Sequence, residues 1–529
     1  MAGTRKTTST RRTASGRSAE SKAAADTGTG TGHAPAGGVT IRHYCQGIGD
    51  CHLLGFPKAE GGTFWMMIDC GVHTSVKGGA ARIDAVVADI AERTGKHIDV
   101  LVVTHEHTDH TSGFVSARDR FAEFTFAEVW LAWTENGRDP QARELDRYKE
   151  QALAALQLTS QRLDGALGLS ENLNALRTGL DALMGFTFGA KGDRVRATRD
   201  AAVRFAEGRV RYCEPTDPPI ELPGVPNLRI YVLGPPRDPA LLGIAARSSE
   251  MYHAAASTGW PIAGALAGAF AAGGASIADG EDIASPFDPN VGTELERIAA
   301  SAAVAVPPDV PEAIARFARA HYFGPMKDPV PVMQSRQPKT PKAAAFDQSW
   351  RRIDLDWLGV SADLAMQLDN RTNNTSLVLA FEFKDSGRVL LFAADAQVGN
   401  WLSWQNTRWT VDAATVTGPD LLARTVYYKV GHHGSHNATL KEKGLELMAS
   451  KDLVAFIPTN EEDAKKVGWG QMPFGSLLEA LNDRCGGRVI RADDPWLSNA
   501  AGGPEFQTPS GAVLSVRHKP GLWVELEVR

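Results

Sequence analysis

The chain has 529 residues, 43% of them hydrophobic and 22% charged, which excludes a globally disordered or fibrous protein and leaves room for roughly two to four domains. The net charge is −6, but residues 1–38 carry six basic side chains against two acidic ones. The remainder therefore stands at −10, which excludes a broad basic footprint for duplex DNA and leaves only a local groove for nucleic acid. The five cysteines are scattered and form no CxxC, which points to reduced thiols in a cytoplasmic protein. The best candidate for a membrane span, the uncharged segment 260–278, is mostly alanine and glycine. It buries too little area for a membrane span and reads as a buried helix or lid.

In chain order, residues 1–38 hold no large apolar side chain after Met1, which predicts a disordered basic tail. Alternation over 39–45, a glycine-rich turn at 46–50, and apolar runs at 51–56 and 64–71 predict three strands. A helix fits 81–94, with Ile83, Val86, Val87 and Ile90 on one face and Gly95 as its stop. The nearly continuous apolar run 98–103 predicts a buried strand. Residues 143–185 read as an amphipathic helical stretch, 228–233 as a strand, and 237–348 as an irregular insertion. Strands resume as a hairpin at 376–383 and 388–392, then at 426–430, 453–457 and 488–491. A helix at 474–482 and a closing strand pair near 513–516 and 522–528 complete the pattern.

Three histidines and an aspartate crowd into six residues, His105-x-His107-x-Asp109-His110, directly after the buried strand at 98–103. Imidazole and carboxylate suit zinc, manganese or iron. Residues at i and i+2 of an extended segment share a side, so His105 and His107 can bind one ion. Asp109 and His110, past the bend, can face a second. A further cluster, His432-His433-Gly434-Ser435-His436, follows the strand at 426–430. Asp395 closes the apolar run 390–394, where a carboxylate is costly unless it is paired or metal-bound. A helix N-cap is the other reading of Asp395.

Together these residues resemble the metallo-β-lactamase superfamily, with HxHxDH after a strand, then a bridging Asp, then a late His. Within it the chain is similar to the branch of the competence DNA-uptake protein (ComEC-like). That branch's GQGD start, IDxG strand end, NxxSxVL strand, LLxxGD strand end and KxxHHGS motif read here as residues 46–50, 68–71, 373–379, 390–395 and 429–435. The resemblance implies an α/β (α+β) fold, a four-layer αββα sandwich with the metal site at one edge between two sheets. It implies one domain over 39–529, interrupted by an insertion at about 140–370. It implies two divalent ions, zinc or, as the alternative, manganese, and a metal-bound hydroxide that attacks a phosphoryl or carbonyl centre. His105 and His107 would hold the first ion. Asp109, His110 and one of His432 and His433 would hold the second, with Asp395 bridging. Of the pair, His432 reads as the ligand and His433 as the catalytic group that contacts substrate or protonates the leaving group, while Asp109, also catalytic, would both ligate and orient the water. Asp69 would support the site from behind, Ser435 and His436 would contact ligands or phosphate, and Asp50 would fix a turn. Three departures stand out. The 46–50 turn is one residue longer, and Ala394 replaces a usual glycine. Many members also place another histidine ligand before the bridging Asp, where this chain has only His253 and His321, neither at a strand end. Asn373 or Asn374 lies nearer the expected place, so water or substrate would complete that position.

The function these features imply is a phosphodiesterase or nuclease. Its local groove would draw on Trp350, Arg351, Arg352, Trp357, Arg371, Trp401 and Trp404, although the aromatics also read as core. A small ester, thioester, lactone or lactam substrate is the alternative, and a non-enzymatic sensor or binding module the third reading. No membrane partner is expected.

Overall fold

The computed structural model describes residues 38–165, 193–215, 217–245, 247, 249–251, 359–466, 472–500, 503–504 and 506–529. The expected tail, the groove residues 350–352 and 357, His253, His321, the 260–278 run and nearly all of the irregular 237–348 stretch lie outside them. No helix among the described residues is long and apolar enough to cross a membrane. The five cysteines are free thiols.

The strands are β1 (Val39–Tyr44), β2 (His52–Pro57), β3 (Thr63–Ile68), β4 (His97–Val102), β5 (Thr125–Ala132), β6 (Val210–Cys213), β7 (Ile220–Leu222), β8 (Val225–Gly234), β9 (Val378–Phe383), β10 (Val389–Phe392), β11 (Arg408–Val411), β12 (Ala414–Thr417), β13 (Thr425–Lys429), β14 (Val454–Ile457), β15 (Val489–Arg491), β16 (Val513–Lys519) and β17 (Trp523–Val528). Among the described residues they form an eight-stranded sheet, β16-β17-β1-β2-β3-β4-β5-β6, and a seven-stranded sheet, β15-β14-β13-β10-β9-β8-β7. β11 and β12 make a separate ribbon. The stretch 140–370, expected as an insertion, supplies β6, β7 and β8, so both sheets reach into it as far as Gly234. β5, which no sequence pattern predicted, lies between β4 and β6.

Strand alternation explains the layering. In β3, Phe64, Met66 and Ile68 join a core with Phe381, Leu390 and Phe456 of the other sheet, while Trp65 and Met67 point outward. In β9, Leu379, Phe381 and Phe383 face inward, and Val378 and Ala380 outward. Each outer face is covered: Ile83, Val87 and Ile90 of the helix Gly79–Thr94 cover the first sheet, and Trp401, Leu477 and Leu481 of the helices Val398–Trp404 and Gly475–Cys485 cover the second. The result is the expected αββα sandwich, with strands buried on both faces and hence apolar on both.

Two parallel pairings decide where the chemistry falls. β3 pairs with β4 so that Ile68 stands opposite Val102. β10 pairs with β13 so that Phe392 stands opposite Lys429. Parallel neighbours end at the same edge, so the four loops that follow them open together, as ligand loops do in such sheets. The Leu377 N–H donates to the Thr104 carbonyl (2.8 Å) and ties the two sheets together at that edge.

Candidate metal centre

The loop after β4 carries the histidine cluster, and its backbone is clamped by two glycine-bearing turns. The Asp50 N–H donates to the Asp109 carbonyl (3.0 Å), and the Cys70 N–H to the His110 carbonyl (2.8 Å). At Gly49, φ is 138°, and a Cβ there would lie 2.6 Å from the Asp109 oxygen. At Gly71 a Cβ would overlap the Asp109 carbonyl and the His110 nitrogen. The glycines at the 46–50 and 68–71 motifs therefore serve close backbone approach.

Asp395 lies at the centre. Its Oδ2 is 3.2 Å from His110 Nε2, 3.8 Å from His105 Nε2 and 3.8 Å from His433 Nε2. Its Oδ1 accepts the backbone N–H of His432 (3.2 Å). Ser376 Oγ receives the Asp395 N–H (3.2 Å), and Asn374 Oδ1 receives the N–H groups of Gln397 and Asn400 (3.2 Å each), so the 373–379 motif holds the Asp395 loop. Asn374 is thus a scaffold residue. Ala394 adopts φ 48°, a left-handed conformation that accounts for the usual glycine at this position.

Two ligand groups share this carboxylate. Asp109, His110, Asp395 and His433 each offer one donor atom, all within 4.8 Å of one another, and His105, His107 and Asp395 do the same. Two donors on one zinc stand roughly 3.4 Å apart, so these spacings suit shared ions. The chemistry of the donors agrees. Nε2 of His105, Nε2 of His110 and Oδ1 of Asp109 are buried and have no hydrogen-bond partner among the described residues. Left dry, such atoms are costly, and a divalent ion is what the set fits.

The two adjacent histidines point different ways. His433, with φ 52°, turns inward, donates Nδ1–H to the Pro458 carbonyl (2.7 Å) and presents Nε2 to Asp109 at 2.8 Å. His432 belongs to neither group; it is half-buried, with Nδ1 3.0 Å from Ser435 Oγ and 3.4 Å from Asn437 Oδ1. His433, rather than the His432 that the sequence pointed to, therefore lies among the grouped donor atoms, with His432 beside them. Ser435 touches His432, and His436 packs near Phe474 with ring centroids 6.2 Å apart.

Asp69 supports the site as expected. It accepts His110 Nδ1–H (2.8 Å) and the Thr104 N–H and Oγ1–H (2.8 and 2.6 Å), which leaves His110 Nε2 facing Asp395. Asp50 does more than fix a turn. Its carboxylate pairs with the buried Lys429 ammonium and lies 3.8 Å from His110 Nδ1. Lys429 was legible as the first letter of the 429–435 motif, but its partner, some 380 residues earlier, was not. Glu106, between the two leading histidines, holds Lys149 of the helix Pro140–Gly165 at 2.8 Å.

The electrostatics follow from burial and these neighbours. Burial pushes His105 well below the ordinary histidine value, with His110 and His107 adding to it, and pushes His107 down to about 3 despite Asp109 and Asp395. Both rings are neutral and ready to donate. Burial also opposes a proton on His110 and His433. Asp395, followed by other carboxylates, outweighs that and raises His433, and raises His110 well above the usual range. Asp395 itself is held well below the carboxylate range by His110 and His433, against the cost of burial. The carboxylates that favour a proton on these two rings would favour a cation at the same place.

The expected aromatic groove loses two members. Trp401 and Trp404 are fully buried; Trp401 Nε1–H donates to the Ala438 carbonyl (3.1 Å) and Trp404 Nε1–H to Asn400 Oδ1 (2.9 Å). Arg371 stacks on Tyr148, 4.5 Å from the ring centroid. A cavity of about 490 Å3 beside Arg488, Trp496 and Phe506 includes no residue of the centre.

Residues 47–226 match the family model of the metallo-beta-lactamase superfamily, a span that includes the 105–110 cluster and ends before Asp395 and His433. No curated protein and no solved structure matches the chain.

Proposed function

We propose that the chain is a metal-dependent hydrolase that cleaves a phosphodiester, with Asp395 as the carboxylate that would serve both of two divalent ions, zinc or, as the alternative, manganese. One observation carries this reading: a single Asp395 oxygen faces His105 on one side and His110 and His433 on the other. What two ions held there would supply is a water acidified toward neutrality and positive charge opposite the anion that develops in an in-line displacement. The chain's own contribution is to fix donors and move protons. Asp69 sets the tautomer of His110, and the Pro458 carbonyl sets that of His433. Asp109 is positioned both to ligate and to orient the water. His432, half-buried next to Asp395, is placed to meet substrate or protonate the leaving group. The competence-type motifs at 373–379 and 429–435 support a phosphodiester over a carbonyl substrate. Burial of Trp401 and Trp404 favours the second reading, a small ester, thioester, lactone or lactam, because two stacking surfaces for a single strand are lost.

The test is elemental analysis followed by assays with bis-p-nitrophenyl phosphate, single-stranded DNA and RNA, alongside an ester and lactam panel. We expect bound zinc or manganese, phosphodiester cleavage, and a loss of about 100-fold or more in Asp395→Ala. A metal-loaded wild type that leaves every phosphodiester intact refutes the substrate assignment, and a chain that binds no metal refutes the whole reading.

A further inference from the structure

The first ligand group has two donors of its own, His105 and His107, and shares Asp395, whereas the second has three, Asp109, His110 and His433, beside the same carboxylate. The helix Gly359–Asn374, which runs into the motif that holds the Asp395 loop, brings a further donor toward the first group. Asp369 Oδ1 lies 3.7 Å from His107 Nε2, close to the spacing of two donors on one ion. Its other oxygen accepts Asn373 Nδ2–H (3.2 Å), one helical turn on, which holds the carboxylate on the face toward the histidine loop. Asp369, His107 and Asn373 are all buried. Two further buried atoms point to a ligand here: His105 Nε2, 3.8 Å from Asp395, and Asn373 Oδ1 have no hydrogen-bond partner among the described residues.

We propose that Asp369 is a metal ligand of the first position, standing where a further histidine would otherwise serve, with Asn373 as the residue that positions it. Asp369 does not fall within 4.8 Å of all three other donors, so closing the set takes a rotation of its side chain toward Asp395. Exchange of imidazole for carboxylate hardens this position and shifts its preference from zinc toward manganese or iron. The proposal rests on the two-ion reading above.

The experiment uses the full chain, stripped of metal and titrated with Zn(II) and with Mn(II), read by elemental analysis and calorimetry. Wild type should bind two ions. Asp369→Asn, which is isosteric and able to keep a contact to Asn373, should bind one ion with unchanged affinity and the other about 100-fold or more weakly. Asp369→His should restore the second zinc and lower the preference for manganese. Circular dichroism checks that each variant is folded, and if Asp369→Asn is not, Asp369→His carries the decision. Two ions with unchanged affinity in Asp369→Asn overturn the assignment and leave the proposed function standing. A single ion in wild type, with a Kd that the substitution does not move, overturns it as well. No metal in wild type overturns both.

Discussion

Adding one methyl group at Gly71 should dismantle the metal centre without touching a ligand. Gly71 is absent from the positive-φ residues, so alanine meets no backbone penalty there and the effect is one of space alone. The new Cβ would sit well inside 3.0 Å of the Asp109 carbonyl and the His110 nitrogen, and both are backbone atoms that cannot swing aside. Relief requires the 69–71 turn and the 105–110 loop to separate by roughly an ångström, a strain of about 1–3 kcal/mol. That movement breaks the hydrogen bonds Cys70 N–H to His110 (2.8 Å) and Gly113 N–H to Cys70 (2.8 Å), each worth about 1 kcal/mol. The total is about 3–5 kcal/mol. Because productive sites tolerate only about 0.5 Å of displacement, metal should be lost even where the fold survives. Gly137→Ala is the control, since nothing lies within 4 Å of its Cβ position. Urea unfolding and metal content read both effects. A Gly71→Ala protein that keeps its full metal complement and unfolds within about 0.5 kcal/mol of Gly137→Ala would refute the close-approach reasoning.

Removing the ammonium in Lys429→Met should cost about 3–5 kcal/mol, because it strands the buried Asp50 carboxylate. The double variant Lys429→Met/Asp50→Asn should recover much of that loss in urea unfolding, and no recovery would show that the pair is not coupled. Metal affinity should rise with pH. Both His110 and His433 are raised, so loading should displace protons, and calorimetry in buffers of different ionisation enthalpy should show net proton release. The same raised values stabilise the metal-free chain fully below about pH 6.5, the unfolded value, and this stabilisation is lost as pH rises through the folded values. The metal-free chain should therefore weaken above about pH 6.5 while the loaded chain does not, and parallel pH profiles for the two would contradict the assignment.

Local order alone determined much of this protein. Apolar runs mark most strands, because a strand buried between layers must be apolar along the chain whatever lies opposite. The 105–110 cluster, Asp395 and the 432–436 cluster each follow such a strand, so their convergence at one sheet edge was legible once parallel pairing was supposed. β5 was not, and neither was the helix Gly359–Asn374, whose Asp369 and Asn373 read as ordinary polar positions. Tertiary structure alone decided the choices between neighbours. Left-handed backbone at residues 432 and 433 turns one ring to Asp109 and the other to Ser435, and no spacing rule distinguishes adjacent histidines. Trp401 and Trp404 offered the same composition to a groove or a core, and the second sheet's outer face claimed them. The pairing of Asp50 with Lys429, the tautomer of His110 and the approach of Asp369 to His107 join residues far apart in the chain. Sequence periodicity reports which side of an element is buried; only packing reports what it is buried against.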